Sequence, residues 1–156
     1  MISLNLATAT IALMQPQDVP AVIEIERKSN SHPWTEHNFW DAITSGYLSL
    51  VAREQGEICA FAIARAVVDE AELLLIAVAP SQRRQGVAAL LWIELAQRLQ
   101  TTGATKLFLE VRASNAPARS FYASRGFSQV GVRKNYYPKG VHSGDREDAV
   151  QMQVTL

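Results

Sequence analysis

Residues 76–91 read IAVAPSQRRQGVAALL. An apolar run ends at Val78 and is closed by Pro80, as a strand closes. From Gln85 the apolar spacing becomes helical. Val87, Leu90, Leu91, Leu95 and Leu99 fall on one face of a helix that runs to Thr101, and Gly103 stops it. A helix start leaves about four backbone N–H groups without helical partners, and the aligned peptide dipoles add partial positive charge there. An anion at that point satisfies both. Gly86 has no Cβ and lets the main chain approach a phosphate; Ala88 keeps the next turn low. Arg83 and Arg84 add charge in a form suited to phosphate oxygens. Other phosphate loops do not fit. A Walker loop needs Gly-Lys-Ser/Thr, and a dinucleotide turn needs Gly-x-Gly-x-x-Gly, where only one glycine stands.

On the N-terminal side, residues 4–14 alternate loosely before Pro16 and predict a first strand. Val19, Val22, Ile23 and, weakly, Glu26 share a helical spacing over 17–29. A second short helix follows His32-Pro33-Trp34, with Thr35 as its cap and Phe39, Trp40 and Ile43 turned inward. Residues 48–52 and 58–68 predict strands joined by a tight turn around Gly56, and 72–78 a further strand. On the C-terminal side, 106–111 predicts a strand. A helix over 116–124 follows, with Ser114 or Asn115 as cap and Pro117 in its first turn. Strands over 127–135 and 149–156 flank a polar loop. The order β-α-α-β-β-β-α-β-α-β-β is α/β, with about four helices covering a mostly antiparallel sheet of about seven strands.

The 156 residues suit a single domain, 1–156. At that size folding hides roughly 70% of the surface of the unfolded chain. With 48% hydrophobic and 19% charged residues the composition is globular. Fifteen basic residues balance fifteen acidic ones, which argues against a protein built to grip nucleic acid. Cys59 is the sole cysteine and reads as a buried strand thiol, so neither a disulfide framework nor a cysteine metal site is expected. His32, His37 and His142 lack metal-ligand spacing. Leu4–Met14 has no basic lead and is interrupted by Thr8 and Thr10, so no targeting segment is expected, nor a membrane span. The cytoplasm is the default expectation.

Arg83-x-x-Gly86-x-Ala88 after a strand resembles the acetyl-CoA pyrophosphate motif of the GCN5-related N-acetyltransferase (GNAT) family, Gln/Arg-x-x-Gly-x-Gly/Ala. The resemblance implies the GNAT fold, with acetyl-CoA as co-substrate and no metal. It implies that the amides of Arg84, Gln85, Gly86, Val87, Ala88 and Ala89 hold the pyrophosphate. It also implies that Ile76, Ala77 and Val78 pair with the pantetheine arm like an added strand, one amide near Ile76 polarising the thioester carbonyl.

A second segment, LFLEVRASNAPARSFYASRGF at 107–127, resembles the RimI-type subfamily of ribosomal-protein-alanine N-acetyltransferases, as do HPWTE at 32–36, DEAELLLIAV at 69–78, RKNYYP at 133–138 and GDREDA at 144–149. An amine at neutral pH is mostly protonated and cannot attack a thioester, and the departing thiolate needs a proton. A carboxylate and a phenol can divide these tasks. The resemblance implies Glu110 as general base, directly or through water, Tyr122 as general acid, and Asn115 as a hydrogen-bonding partner of the cofactor. It implies the N-terminal alanine of a small-subunit ribosomal protein as acceptor, with Tyr136, Tyr137 and the loop after Pro138 walling its groove.

From the residues themselves other roles stay open. Glu110 also reads as an edge-strand carboxylate paired with Arg112, Tyr122 as core beside Phe121, and Asn115 as a helix cap. Glu70 and Glu72 are competing bases, and His142 a weaker one. Trp34 and Trp40 read as packing. The chain departs from the enterobacterial pattern in its longer N-terminal lead, in Ala88, and in the loop GVHSGD at 140–145. A small-molecule amine acetyltransferase and a non-catalytic acyl-CoA-sensing module are the alternatives. Oligomeric state is not legible.

Overall fold

The computed structural model describes residues 9–140 and 144–156. The expected strand residues 4–8 and the candidate His142 lie outside that range. Seven strands form one sheet in the order β1-β2-β3-β4-β5-β7-β6. They are β1 Thr10–Leu13, β2 Leu48–Glu54, β3 Glu57–Val67, β4 Glu70–Val78, β5 Lys106–Arg112, β6 Ser128–Pro138 and β7 Arg146–Thr155. Four α-helices occur among the described residues: α1 Val19–Ser29, α2 Glu36–Thr44, α3 Val87–Thr101 and α4 Ala116–Ser124. Each strand pair is antiparallel except β4–β5. The expected α/β architecture and element order hold.

Strand alternation sorts the core into two layers. On β3, Ala60, Ala62 and Ala64 face one way and meet Leu91, Leu95 and Leu99 of α3. Phe61 and Ile63 face the other way and meet Val22 of α1 and Phe39 of α2. The small alanines let α3 lie close to the sheet, and the bulkier partners fill the opposite layer. Cys59 is buried, its Sγ donating to Ala52 O at 3.5 Å. Gln55 and Gly56, at φ 52° and 82°, make the two-residue turn between β2 and β3, the left-handed pair that a tight hairpin requires.

The feature that makes a site is the contact between β4 and β5. They pair only from Glu70 to Glu72 against Lys106 to Phe108. Beyond that point β4 stays with β3 as far as Val78, and β5 stays with β7 as far as Arg112. The β3–β4 register slips between Ile63 and Ala64, so that Leu74 is the extra residue on β4. Such a bulge bends its strand. Two strand edges that would have paired are thus parted, and a cleft opens between them.

Several boundaries differ from expectation. Helix α3 begins at Val87, because Gly86 adopts φ 82° and serves as its N-cap, so Gln85 lies in the turn. Strand β4 starts two residues earlier, at Glu70. Strands β6 and β7 extend to Pro138 and back to Arg146, because a wide bulge lets them stay paired: Lys134, Asn135 and Tyr136 stand opposite Asp148 alone. Asp148 Oδ1 accepts from Asn135 N at 3.0 Å and Oδ2 from Lys134 Nζ at 3.2 Å.

Candidate active site

The cleft between β4 and β5 has a volume of about 540 Å³. Ile76 and Ala77 line one wall, Glu110 and Arg112 the other, with Asn115 and Tyr122 of α4 beyond. Its far end is closed by Ser29 to His32, Trp34, Tyr136, Tyr137 and Pro138. Five of the expected site residues therefore share one cavity: Ile76, Ala77, Glu110, Asn115 and Tyr122. Val78 and the turn from Arg84 to Ala89 do not line it; they continue from the end of β4.

That turn leaves a run of backbone amides at the start of α3 without helical partners. Arg84 and Gly86 both have positive φ, 63° and 82°. For Gly86 this conformation is free, whereas for Arg84 it costs about 1 kcal/mol or more. The first helical bond runs from Leu90 N to Gly86 O at 3.1 Å. The amides of Val87, Ala88 and Ala89 precede it, and Gly86 has no side chain to cap them. Arg84 and Gln85 are exposed.

Arg83 departs from expectation. Its Nε donates to Val78 O at 3.0 Å and its Nη2 to Ser29 Oγ at 3.2 Å. The guanidinium ties the end of β4 to the end of α1 instead of reaching toward a phosphate. The Val78 carbonyl is thereby engaged, which leaves Ile76 and Ala77 as the better strand partners for an extended ligand.

Glu110 is also placed differently from its simplest reading. It stands on the stretch of β5 that has parted from β4, and its partner is not Arg112. Oε1 meets Arg133 Nη2 at 3.1 Å. Oε2 is buried and has no hydrogen-bond partner, which is costly unless a ligand or water completes it. Arg112 instead donates from Nη1 to Pro138 O (2.8 Å) and Glu147 Oε1 (3.1 Å), and its Nη2 lies 3.3 Å from His32 Nδ1. Its guanidinium also sits 4.5 Å from the centre of the Tyr137 ring. This one side chain joins the loop after α1 to the β6–β7 pair.

Tyr122 is 9% exposed, edge-on to Phe121 and Phe127 at 5.6 and 5.4 Å. Burial, and then the neighbouring Tyr137, hold its hydroxyl well above the ordinary phenol range. Tyr137 is pushed up to about 12, by burial first and then by Glu110 and Tyr136, against the lowering effect of Arg112 and Arg133. Both phenols stay protonated at neutral pH. Asn115 caps α4, its Oδ1 accepting from Ala118 N at 3.2 Å, so a ligand can be met by its amide nitrogen.

The competing bases separate by partner. Glu72 lines the cleft but is held by Arg65 at 2.6 Å. Glu70 lies at the closed end, where β4 and β5 are still paired. Trp34 packs edge-on to Phe39 at 5.3 Å while also lining the cleft, and Trp40 packs against the α1–α2 layer.

A third carboxylate in the cleft, beside Glu110 and Glu72, escaped the sequence reading. Glu26 is 2% exposed and accepts from Trp34 N at 2.9 Å. Burial raises its pKa, opposed by the bond from Trp34 and by the Asn30 side chain. The signal was present: a carboxylate on the apolar stripe of α1 needs an internal donor. Among the described residues no cluster of three or more His, Cys, Asp or Glu is arranged to hold a metal, and no helix is long and apolar enough to cross a membrane.

Residues 19–127 match the Acetyltransferase (GNAT) family. The chain belongs to that family. It is 40% identical over 147 residues to the [ribosomal protein bS18]-alanine N-acetyltransferase of Escherichia coli K12, covering 94% of this chain and 97% of that protein. It is 41% identical over 140 residues to the protein of the same name from Haemophilus ducreyi, covering 90% and 95%. The crystal structure of the ribosomal-protein-S18-alanine N-acetyltransferase from Escherichia coli superposes with a TM-score of 0.86 at 39% identity, covering 94% of this chain and 93% of that one. Within this GNAT chain the family match contains the turn at Gly86, Glu110, Asn115 and Tyr122, and ends before Arg133, Tyr136 and Tyr137. The GNAT-matched part thus holds both walls of the cleft and the helix beyond them. The β6–β7 pair outside it supplies Tyr136, Tyr137 and Pro138 at the far end.

Proposed function

We propose that this chain transfers the acetyl group of acetyl-CoA to a protein N-terminal amine, and that the acceptor is the N-terminal alanine of ribosomal protein bS18. Its relatives carry that reaction in their names. The observation that carries the chemistry is the buried, partnerless Oε2 of Glu110 in the same cleft as the Tyr122 phenol.

The residues fit the co-substrate. The uncapped amides of Gly86 to Ala89, with those of Arg84 and Gln85, would hold the pyrophosphate. The unpaired edge of β4 at Ile76 and Ala77 would bind the pantetheine arm by strand addition, and Val78 would end that run. The Asn115 amide nitrogen would donate to the same arm. Acetyl-CoA supplies the activated acyl group as a thioester.

The protein's own work is moving protons and orienting groups. The amine nitrogen bonds to the acyl carbon, and the carbon–sulfur bond breaks. Glu110 takes the proton that the amine loses, directly or through one water. Tyr122, kept protonated by burial, gives its proton to the departing sulfur. The acceptor chain would lie between the loop after α1 and the Tyr136–Tyr137 wall, its first residue at Glu110. The 156 residues would act as one domain in the cytoplasm, in keeping with one continuous sheet and a composition suited to a folded soluble chain.

The test is a thiol-release assay with peptides that begin with alanine, set against polyamines and aminoglycosides, with mass spectrometry to locate the acetyl group. Acetylation of the peptide α-amine supports the proposal. Faster turnover of the small amines assigns a small-molecule enzyme. Tight acetyl-CoA binding with no thiol release from any acceptor assigns a sensing module.

A further inference from the structure

The proposed mechanism has a base and an acid, but does not say what aims the base. The rows of the sheet supply an answer. Strands β5, β7 and β6 bring Glu110, Gln151 and Gly131 side by side, and one step along bring Arg112, Ala149 and Arg133 side by side. Within two residues of Glu110, therefore, two arginines stand on the same face. Only Arg133 bonds to it. Arg112 is spent on Pro138, Glu147 and His32.

Two small residues leave the path clear. Ala149, between the arginines, presents only a methyl group. Gly131 has no Cβ, and a Cβ there would stand 2.5 Å from Gln151 Oε1. Gln151 therefore leans over Gly131. On the far side, the Tyr136 ring supports the Arg133 guanidinium at 4.6 Å. Tyr136 is in place because the bulge held by Asp148 turns the end of β6.

The geometry points to Arg133 as the positioning residue of the general base. It holds Oε1 of Glu110, so Oε2, which has no partner, is the oxygen left for the amine or its water. This inference rests on the base reading of Glu110. Arg133 itself does not line the cleft.

The test is a double-mutant cycle with Arg133→Ala and Glu110→Gln in the full chain, with Arg133→Lys as rescue. Arg133 is half-exposed, so its removal should leave the melting temperature near that of the parent. Arg133→Ala is expected to lower kcat about 10-fold, the size of a typical contact coupling. KM for acetyl-CoA and for the peptide should stay within about two-fold, and Arg133→Lys should restore most of the rate. In the Glu110→Gln background, Arg133→Ala should change kcat by less than about two-fold. An equal loss in both backgrounds overturns the inference while the base reading stands, as does a raised peptide KM with kcat unchanged. If Glu110→Gln alone keeps the parent rate, the base reading fails first and takes this inference with it.

Discussion

Glu110→Gln separates chemistry from folding because the two costs differ in size. The amide has nearly the shape of the carboxylate, so packing in β5 is kept. What is lost from stability is the pair with Arg133, whose own side chain is 50% exposed. Solvent screens such a pair, and its loss costs about 0–1 kcal/mol. In a chain of this size that corresponds to a melting shift of about 2–4 °C at most. The buried Oε2 had no partner to lose. Removal of a general base, by contrast, lowers turnover by about 100- to 10,000-fold, or about 3–5 kcal/mol on the barrier. The assay is thiol release at saturating acetyl-CoA with an alanine-starting peptide, beside a thermal melt of both proteins. A rate within about five-fold of the parent would refute the base role. A rate lost together with the melting transition would show that the carboxylate was structural.

Tyr122→Phe keeps the ring stack with Phe121 and Phe127 and removes only the buried hydroxyl, so kcat should fall while acetyl-CoA affinity by calorimetry stays within about two-fold; a collapse of binding would mark the phenol as part of the fold. Gly86→Ala forces a left-handed φ on a residue with a Cβ, costing about 1 kcal/mol, and sets a methyl group against the amide seat. Acetyl-CoA should then bind about 10-fold or more weakly, and unchanged affinity would locate the pyrophosphate elsewhere. Glu26 carries a pH signature. Its folded pKa is raised by burial above the ordinary carboxylate value, so the folded protein holds that proton more tightly than the unfolded one. Its stabilising share is complete below the unfolded pKa and is lost as pH rises through the folded one. Urea unfolding of the parent and of Glu26→Gln, from about pH 4 to 8, should show the parent losing ground to the variant as pH rises; a gap that stays constant with pH would refute this.

Much of the molecule was legible from local pattern. The strand-turn-helix at 76–91 follows from a change of apolar period and from one glycine, and both act within a few residues. Thr35 and Asn115 were readable as caps for the same reason, since a cap bonds to the amide three residues on, and both do so. The sequence therefore determined the order of elements, the glycine turn before α3 and the presence of a carboxylate on β5 with a phenol one helix later. Tertiary structure decided which charges remain free. Glu72 is taken by Arg65, Arg83 by Val78 and Ser29, Arg112 by Glu147, and Glu110 by Arg133 instead of its near neighbour. The partners of Glu110 and Arg112 stand 23 and 35 positions away. They meet through the registers of β5, β7 and β6, and the interruption of β4–β5 pairing at Glu72 opens the cleft itself. Register is a property of whole strands packed on a common core, so no spacing within one segment encodes it.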